Sequence, residues 1–373
     1  MCKINSIYVH IPFCLKKCNY CAFYSETDSN YNHFVESLIK EFEIRKKRFD
    51  FNSVSTIYLG GGTPSLLSFN QLDKIIDMFA LFRNIKEFTI EVNPGTINYN
   101  KIKHLKNMGV NRLSLGIQSM DNANLTFLNR IHNTTDNTNA FNNARKAGFD
   151  NISVDLIIGI PGFEDELEMT LDRVIEMHPE HISVYILTLE NNTKLMKMVE
   201  NRMIEMPSDS VIEKQYMLVC KKLKESGYFH YEISNFTLKG YESKHNLTYW
   251  NGGYYIGMGP SATSYFNGKR EKNIANLGKY IKGIENDTIV MEEIEELSKS
   301  EIINEYIFLH LRLRKGLNIN KMDRKFNLDF NNDKSNFLNN LVERELVIFD
   351  REYLCLTDRG FLISDYIFSN LIY

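Results

Sequence analysis

Three cysteines near the N-terminus, Cys14, Cys18 and Cys21, have the types and the spacing to do chemistry. They form a C-x3-C-x2-C run in Pro12-Phe-Cys-Leu-Lys-Lys-Cys-Asn-Tyr-Cys-Ala22, directly after the short stretch Ile7-Tyr-Val-His-Ile11. Three thiolates on one tight loop can hold three irons of a 4Fe–4S cube and leave the fourth iron without a protein ligand. An iron left open can bind a small molecule, so a cluster held this way becomes a reagent rather than an electron wire. A zinc loop is the competing reading. Structural zinc takes four closed ligands, often as two C-x2-C pairs, and Cys2, Cys220 and Cys355 form no second pair.

Four further motifs carry polar groups in places where polarity is costly. Gly60-Gly-Gly-Thr-Pro64 offers a loop whose backbone N–H groups can approach a carboxylate or phosphate closely, with Gly61, Gly62 and Thr63 as the expected contacts. Glu91 ends the apolar run Phe88-Thr-Ile-Glu-Val92, Gln118 ends Leu115-Gly-Ile-Gln118, and Asp155 lies within Ser153-Val-Asp-Leu-Ile-Ile158. A buried charge is costly unless paired, so each of these alone is read as satisfied by backbone or by a neighbouring Lys or Arg. Three of them on consecutive strands converge on one pocket, where they could accept from ribose hydroxyls or an ammonium group. Arg130 could pair with a carboxylate bidentately.

These groups need elements to position them. Up to about residue 190, short apolar strands alternate with amphipathic helices. The strands are expected at Ile7–Val9, Thr56–Leu59, Phe88–Val92, Arg112–Ile117, Ile152–Ile158 and Ile182–Leu187. Phe34, Leu38, Ile39 and Phe42 keep helical spacing, as do Leu72, Ile75, Ile76 and Phe79 after the capping box Ser68-x-x-Gln71. Helices are expected to end at Gly109 and Gly148. Six such repeats imply a parallel sheet with right-handed crossovers, and sheets of that kind carry their ligand sites at the C-terminal strand ends. Residues 1–235 read as this unit. Residues 236–296 read as a connecting segment, with Gly and aromatic residues in loops and strands closing over a pocket and an acidic run, Glu292–Glu296, as a solvated boundary. Residues 297–373 read as a small α+β domain: a helix over Ile302–Leu313, another near Phe337–Arg344, and a hairpin of Leu346–Phe349 with Tyr353–Leu356. Helices with a β-wing resemble a DNA reader, yet residues 321–373 carry seven basic and nine acidic side chains. Nucleic-acid binding needs a basic face, so none is expected and a protein-facing or lid role is.

With 373 residues, 43% hydrophobic and 24% charged, the chain is an ordinary globular one. A net charge of −3 implies no global attraction to nucleic acid or anionic lipid. Six cysteines without an even framework, and a first segment unlike a secretory leader, lead us to expect a reducing cytoplasm.

The C-x3-C-x2-C loop and the Gly-Gly-Gly-Thr-Pro run resemble the radical S-adenosylmethionine (SAM) superfamily. With Tyr8-Val-His-Ile-Pro-Phe-Cys14, Glu-Val-Asn-Pro94, Gly-Ile-Gln-Ser119 and Asp-Leu-Ile-Ile-Gly159, almost the whole chain is similar to the oxygen-independent coproporphyrinogen III oxidase family. The resemblance implies a partial (β/α)6 barrel with a small C-terminal winged-helix-like domain. It also implies one 4Fe–4S cluster on Cys14, Cys18 and Cys21, with SAM at the open iron. By the same resemblance SAM is contacted by Tyr8, Tyr20, Gly61, Gly62, Thr63, Glu91, Gln118, Arg130, Asp155 and Thr188.

Within that family the chain resembles the heme-chaperone branch rather than the oxidases. The oxidases have a fourth cysteine two residues after the third, where this chain has Phe23, and a longer segment before the cluster strand. His245-Asn-x-x-Tyr-Trp250 and the Gly257–Ser264 run match the chaperone branch, whereas Ala22 departs from the Asp common there. This branch implies heme as a third bound group, membrane-bound hemoproteins such as respiratory cytochromes as acceptors, and a cytoplasmic protein compatible with peripheral contact at the inner membrane face and with a homodimer. His245 is the candidate heme ligand, since a neutral imidazole ligates heme iron well; the alternative is a hydrogen-bonded structural histidine. Oxidative decarboxylation of coproporphyrinogen III is the second expected activity, and a zinc-stapled interaction protein the third.

Overall fold

A computed structural model describes residues 1–27, 30–163 and 166–373. Six strands run in chain order: β1 Ser6–Ile11, β2 Thr56–Gly61, β3 Glu87–Val92, β4 Arg112–Gln118, β5 Ile152–Ile158 and β6 His181–Ile186. All five neighbouring pairs are parallel. The helices between them are α1 Tyr31–Lys46, α2 Phe69–Asp77, α3 Tyr99–Asn107, α4 Asn122–Phe127, α5 Thr134–Lys146 and α6 Leu167–Glu176. Each expected strand is present within a residue or two, the Ser68–Gln71 capping box opens α2, and Gly109 and Gly148 take the left-handed conformation just past α3 and α5.

Period-2 alternation explains how this sheet curls into an open barrel with a polar lumen. One face carries Ile7, Val9, Ile11, Ile57, Leu59, Phe88, Ile90, Leu113, Leu115, Val154, Leu156, Ile182 and Val184, all buried in one core with helix residues such as Phe34, Leu38, Leu72 and Ile75. Alternate residues are polar and bond to one another, as in Tyr58–Glu91, Ser114–Asp155 and Ser153–His181. The parallel order places the C-terminal ends of all six strands at one mouth.

The same sheet continues with β7 Phe229–Glu232, β8 Asn235–Thr237, β9 Tyr255–Met258, β10 Thr263–Phe266, β11 Lys269–Asn273 and β12 Met291–Glu296. The full sheet has 12 strands in the order β12-β11-β10-β9-β1-β2-β3-β4-β5-β6-β8-β7. The stretch 236–296, read from sequence as a connection, therefore builds much of the sheet, and β9 adds a seventh parallel strand beside β1. The acidic run, expected as a solvated boundary, is the mostly exposed edge strand β12. Its Glu295 and Glu292 pair with Arg270 and Lys272 of β11 at 2.9 and 3.2 Å, and a charged edge of this kind resists pairing with another chain. A buried knot joins α1 to these strands. Glu41 and Arg45, both fully buried, bond at 2.8 Å, and Glu41 also accepts from Gly259 N, Asn273 Nδ2 and Tyr280 Oη.

Between β6 and the second half of the sheet lie α7 Lys194–Glu200 and α8 Asp209–Glu225; α9 Lys244–Trp250 and α10 Leu277–Glu285 follow. The C-terminal part comprises α11 Lys299–Leu311, β13 Leu317–Asn318, α12 Ile319–Phe326, α13 Phe330–Asp333, α14 Ser335–Glu343, the hairpin β14 Val347–Asp350 with β15 Tyr353–Leu356, then α15 Asp358–Leu362 and α16 Ser364–Leu371. It caps the free edge of β7 through Ile233 N to Arg312 O and Arg314 N to Tyr231 O, both 3.0 Å. Among the described residues no helix is long and apolar enough to cross a membrane.

Candidate functional site

The cysteine loop leaves β1 and returns to its own base, where Cys14 N donates to Glu26 O (3.0 Å) and Glu26 N to Pro12 O (2.6 Å). Cys14, Cys18 and Cys21 are free thiols, half-buried at the barrel mouth. Burial pushes the Cys14 and Cys21 thiols up, partly offset by hydrogen bonds, from Thr63 at Cys14 and from the Phe23 backbone at Cys21. Each sulfur thus has a protein donor: Thr63 Oγ1 reaches Cys14 Sγ at 3.6 Å, Arg130 Nη1 reaches Cys18 Sγ at 3.4 Å, and the Phe23 backbone serves Cys21. Donors pointing at half-buried sulfurs suit thiolates that remain charged as metal ligands, so this donor set fits a cluster held by three cysteines.

The glycine loop works differently from the sequence expectation. Its three N–H groups are used within the protein: Gly61 N donates to Glu91 Oε2 (3.0 Å), Gly62 N to Ile11 O (2.8 Å) and Thr63 N to Phe13 O (2.7 Å). The loop is therefore a brace for the cysteine loop rather than an open N–H cradle. Glycine is needed because a Cβ on Gly61, at φ +105°, would meet the His10 ring at 2.5 Å, and one on Gly62 would meet Phe13 O at 2.6 Å.

The carboxylates lie in the lumen below the mouth. Glu91 accepts from Tyr58 Oη (2.9 Å) and Gly61 N, and burial, with Asp155 nearby, raises it to about 7. Asp155 accepts from Ser114 Oγ at 3.0 Å and from Ser183, and burial raises it too. Hydroxyls and a backbone N–H thus satisfy the two carboxylates, the backbone being one of the two expected sources, and the Arg112 charge acts on both. Arg130 has no carboxylate partner: its Nη2 donates to Gly116 O at 2.9 Å, and its buried Nε has no partner among the described residues. An orphaned guanidinium N–H beside two lumenal carboxylates fits a zwitterionic ligand such as SAM.

Gln118 sits at the mouth in a left-handed conformation (φ 66°), where a bulge interrupts the pairing of β4 with β5. That backbone is uncommon for a non-glycine residue and re-aims the side chain. Tyr8 donates to His10 Nδ1 (3.1 Å), while His10 Nε2–H donates to Tyr24 O (2.8 Å), the tautomer following from the carbonyl's acceptor-only role. The Tyr20 hydroxyl lies beside Arg130. Thr188 is exposed just past β6 and donates to Glu190 Oε1 (3.2 Å).

His245 is placed as a hydrogen-bonded structural histidine would be. It lies on α9, 1% exposed, with Nδ1 bonded to Thr56 Oγ1 (2.9 Å) and Nε2 to Tyr249 Oη (2.7 Å). Thr56 opens β2, so His245 closes the N-terminal end of the barrel, opposite the cysteines. Burial, and then Arg112, pushes its pKa down to about 3. Both ring nitrogens are spent inside the protein, leaving no lone pair for heme iron.

The sequence reading missed Tyr58, His10, Ser114, Gly116, Asn19 and Asn129. Tyr58 and Ser114 were findable, because they keep the period-2 phase of the lumenal residues on their strands. A Cβ on Gly116 would meet Gln118 Nε2 at 3.0 Å and Arg130 Nη2 at 3.2 Å, so a side chain there would push on both.

Comparison with known proteins follows the same lines. Residues 8–174 match the radical SAM superfamily and residues 297–363 the HemN C-terminal domain. The chain is 36% identical, over 99% of its length and 98% of the relative's, to the heme chaperone HemW of Lactococcus lactis subsp. lactis (strain IL1403). It is 33% identical to HemW of Bacillus subtilis (strain 168), over 98% of both chains. The solved structure of coproporphyrinogen III oxidase (HemN) from Escherichia coli, a radical SAM enzyme, shares the fold with a TM-score of 0.83 over 99% of this chain and 90% of that one, at 24% identity.

Proposed function

This chain belongs to the HemW family of radical SAM proteins, and from that premise we propose that it is a heme chaperone: it binds one 4Fe–4S cluster, SAM and heme, and delivers heme to membrane-bound hemoproteins. The observation that carries the cluster and SAM part is the convergence of Cys14, Cys18 and Cys21 with Arg130, Glu91 and Asp155 at one barrel mouth. The chaperone part rests on relatedness over the full chain. When bound, a cluster with one protein-free iron supplies an electron and a coordination site for the amino and carboxylate groups of SAM. The protein's own residues set the geometry around it. Thr63 and Arg130 hold the sulfurs, Tyr58 and Gly61 N orient the Glu91 carboxyl, and Ser114 and Ser183 orient Asp155. Polar groups oriented by buried partners present fixed dipoles to a ligand without reorganisation.

Heme is the cargo. His245 is withdrawn into the barrel floor, away from the mouth. Phe23, 65% exposed on the cysteine loop, leaves that loop without the oxidases' fourth thiol.

Anaerobic reconstitution with iron and sulfide, followed by hemin titration and a coproporphyrinogen III assay on the same sample, tests the reading. Stoichiometric heme without vinyl product supports the chaperone. Decarboxylation that disappears in Cys14→Ala would make the chain an oxidase.

A further inference from the structure

We propose that Arg130 is a positioning residue for the cluster, donating to Cys18 sulfur so as to ease reduction, while the turn it closes clamps the cysteine loop. The inference rests on the cluster reading above and adds a role that is independent of SAM and of heme.

The geometry is that of a fork held at both ends. Nη1 lies 3.4 Å from Cys18 Sγ and Nη2 lies 2.9 Å from Gly116 O, so the guanidinium bridges the cysteine loop and β4. The backbone beneath it is anchored by Arg130 N to Leu125 O at 2.9 Å. Three neighbouring bonds tie the same turn to the same loop. Asn129, at φ 62°, sends Nδ2 to Lys17 O (2.8 Å), Asn19 N donates to Leu128 O (3.2 Å), and Asn19 Nδ2 donates to Phe127 O (2.6 Å). From the other side Leu195 N, on α7, donates to Asn19 O at 2.8 Å. Lys17, Cys18 and Asn19 are thus each held by residues 127–130, and the central contact is a cation on a sulfur.

Reducing a cluster by one electron increases the negative charge on its ligand sulfurs. A hydrogen bond from a cation strengthens with that charge, and more so where solvent is excluded, so it favours the reduced form. Lysine would keep the charge without the fork that reaches Gly116 O.

The test is a redox titration of the reconstituted full-length protein without SAM, the reduced cluster being followed by EPR. In Arg130→Gln the ratio of reduced to oxidised cluster at a fixed potential is expected to fall at least tenfold, a midpoint lower by about 59 mV for a one-electron couple. Arg130→Lys is expected to shift less, in the same direction. Asn129→Gly keeps the left-handed turn, removes one clamp bond and leaves the sulfur contact alone, so its ratio of reduced to oxidised cluster is expected to stay within threefold of wild type. An Arg130→Gln ratio of reduced to oxidised cluster within threefold of wild type at the same potential would overturn the proposal. So would an equal shift in Asn129→Gly, which would trace the effect to loop slackness. Should Arg130→Gln hold no cluster, an unshifted Arg130→Lys would overturn it instead. Hemin titration of the same samples reads the chaperone function separately, and wild-type iron content reads the cluster itself.

Discussion

Replacing His245 with alanine separates a heme ligand from a structural histidine. The substitution removes two buried hydrogen bonds and leaves the hydroxyls of Thr56, 1% exposed, and Tyr249 without their partner. Each such orphan costs about 1–3 kcal/mol, so we expect His245→Ala to lose roughly 2–6 kcal/mol at pH 7.5. The loss should depend on pH. The unfolded chain takes up a proton at this histidine near 6.5, whereas the folded protein resists protonation until about 3. Below 6.5 the unfolded state therefore binds more protons, and the stability that neutral His245 contributes is intact above 6.5 and drains away as pH falls toward 3. At 1.36 kcal/mol per pH unit, the wild type loses about 2 kcal/mol on this account by pH 5. The variant has no such proton to gain, so its deficit should narrow by about that amount. Urea unfolding of the cluster-free chain at pH 7.5 and pH 5, followed by fluorescence of Trp250 at the end of the same helix, gives both numbers. Heme stoichiometry of the folded variant should equal that of wild type. A variant as stable as wild type that no longer binds heme would refute the reasoning and restore His245 as the ligand. A deficit independent of pH would refute the buried neutral imidazole.

Other perturbations follow from the same structure. Glu41→Ala strands the fully buried Arg45 charge and should cost about 3–5 kcal/mol, measurable by urea unfolding. Glu91 is an acid with its folded pKa raised to about 7, so ionising it costs folded stability as pH rises through that value. The thermal stability of Glu91→Gln relative to wild type should accordingly improve between pH 5 and pH 8, and a flat difference would contradict the assignment. Cys18→Ser should lower iron per chain after reconstitution far more than Cys220→Ser, whose thiol is buried and whose burial pushes it up to about 12. Equal loss in both would count against the three-cysteine site.

Much of the barrel was legible in the chain because its signals are short-range. Six strands, the α2 capping box and the glycines past α3 and α5 each depend on a few neighbouring residues, and all appear where expected. The strands over 255–296 were not legible. Their Gly- and charge-rich segments have little apolar character, and they become strands by pairing with β1 and with one another.

The same division holds at the site. The sequence by itself determined the cysteine loop and the polar residues on consecutive strands, because spacing and period-2 phase are properties of the local chain. Only the tertiary structure decided what those residues touch. It spends the glycine-loop N–H groups on Glu91, Ile11 and Phe13, gives Arg130 a sulfur instead of a carboxylate, and seals His245 at the far end of the barrel. Arg130 and Cys18 are 112 positions apart and Thr56 and His245 are 189 apart. No local pattern reaches that far, since such pairs arise only when register and curvature of the sheet bring distant strand ends together.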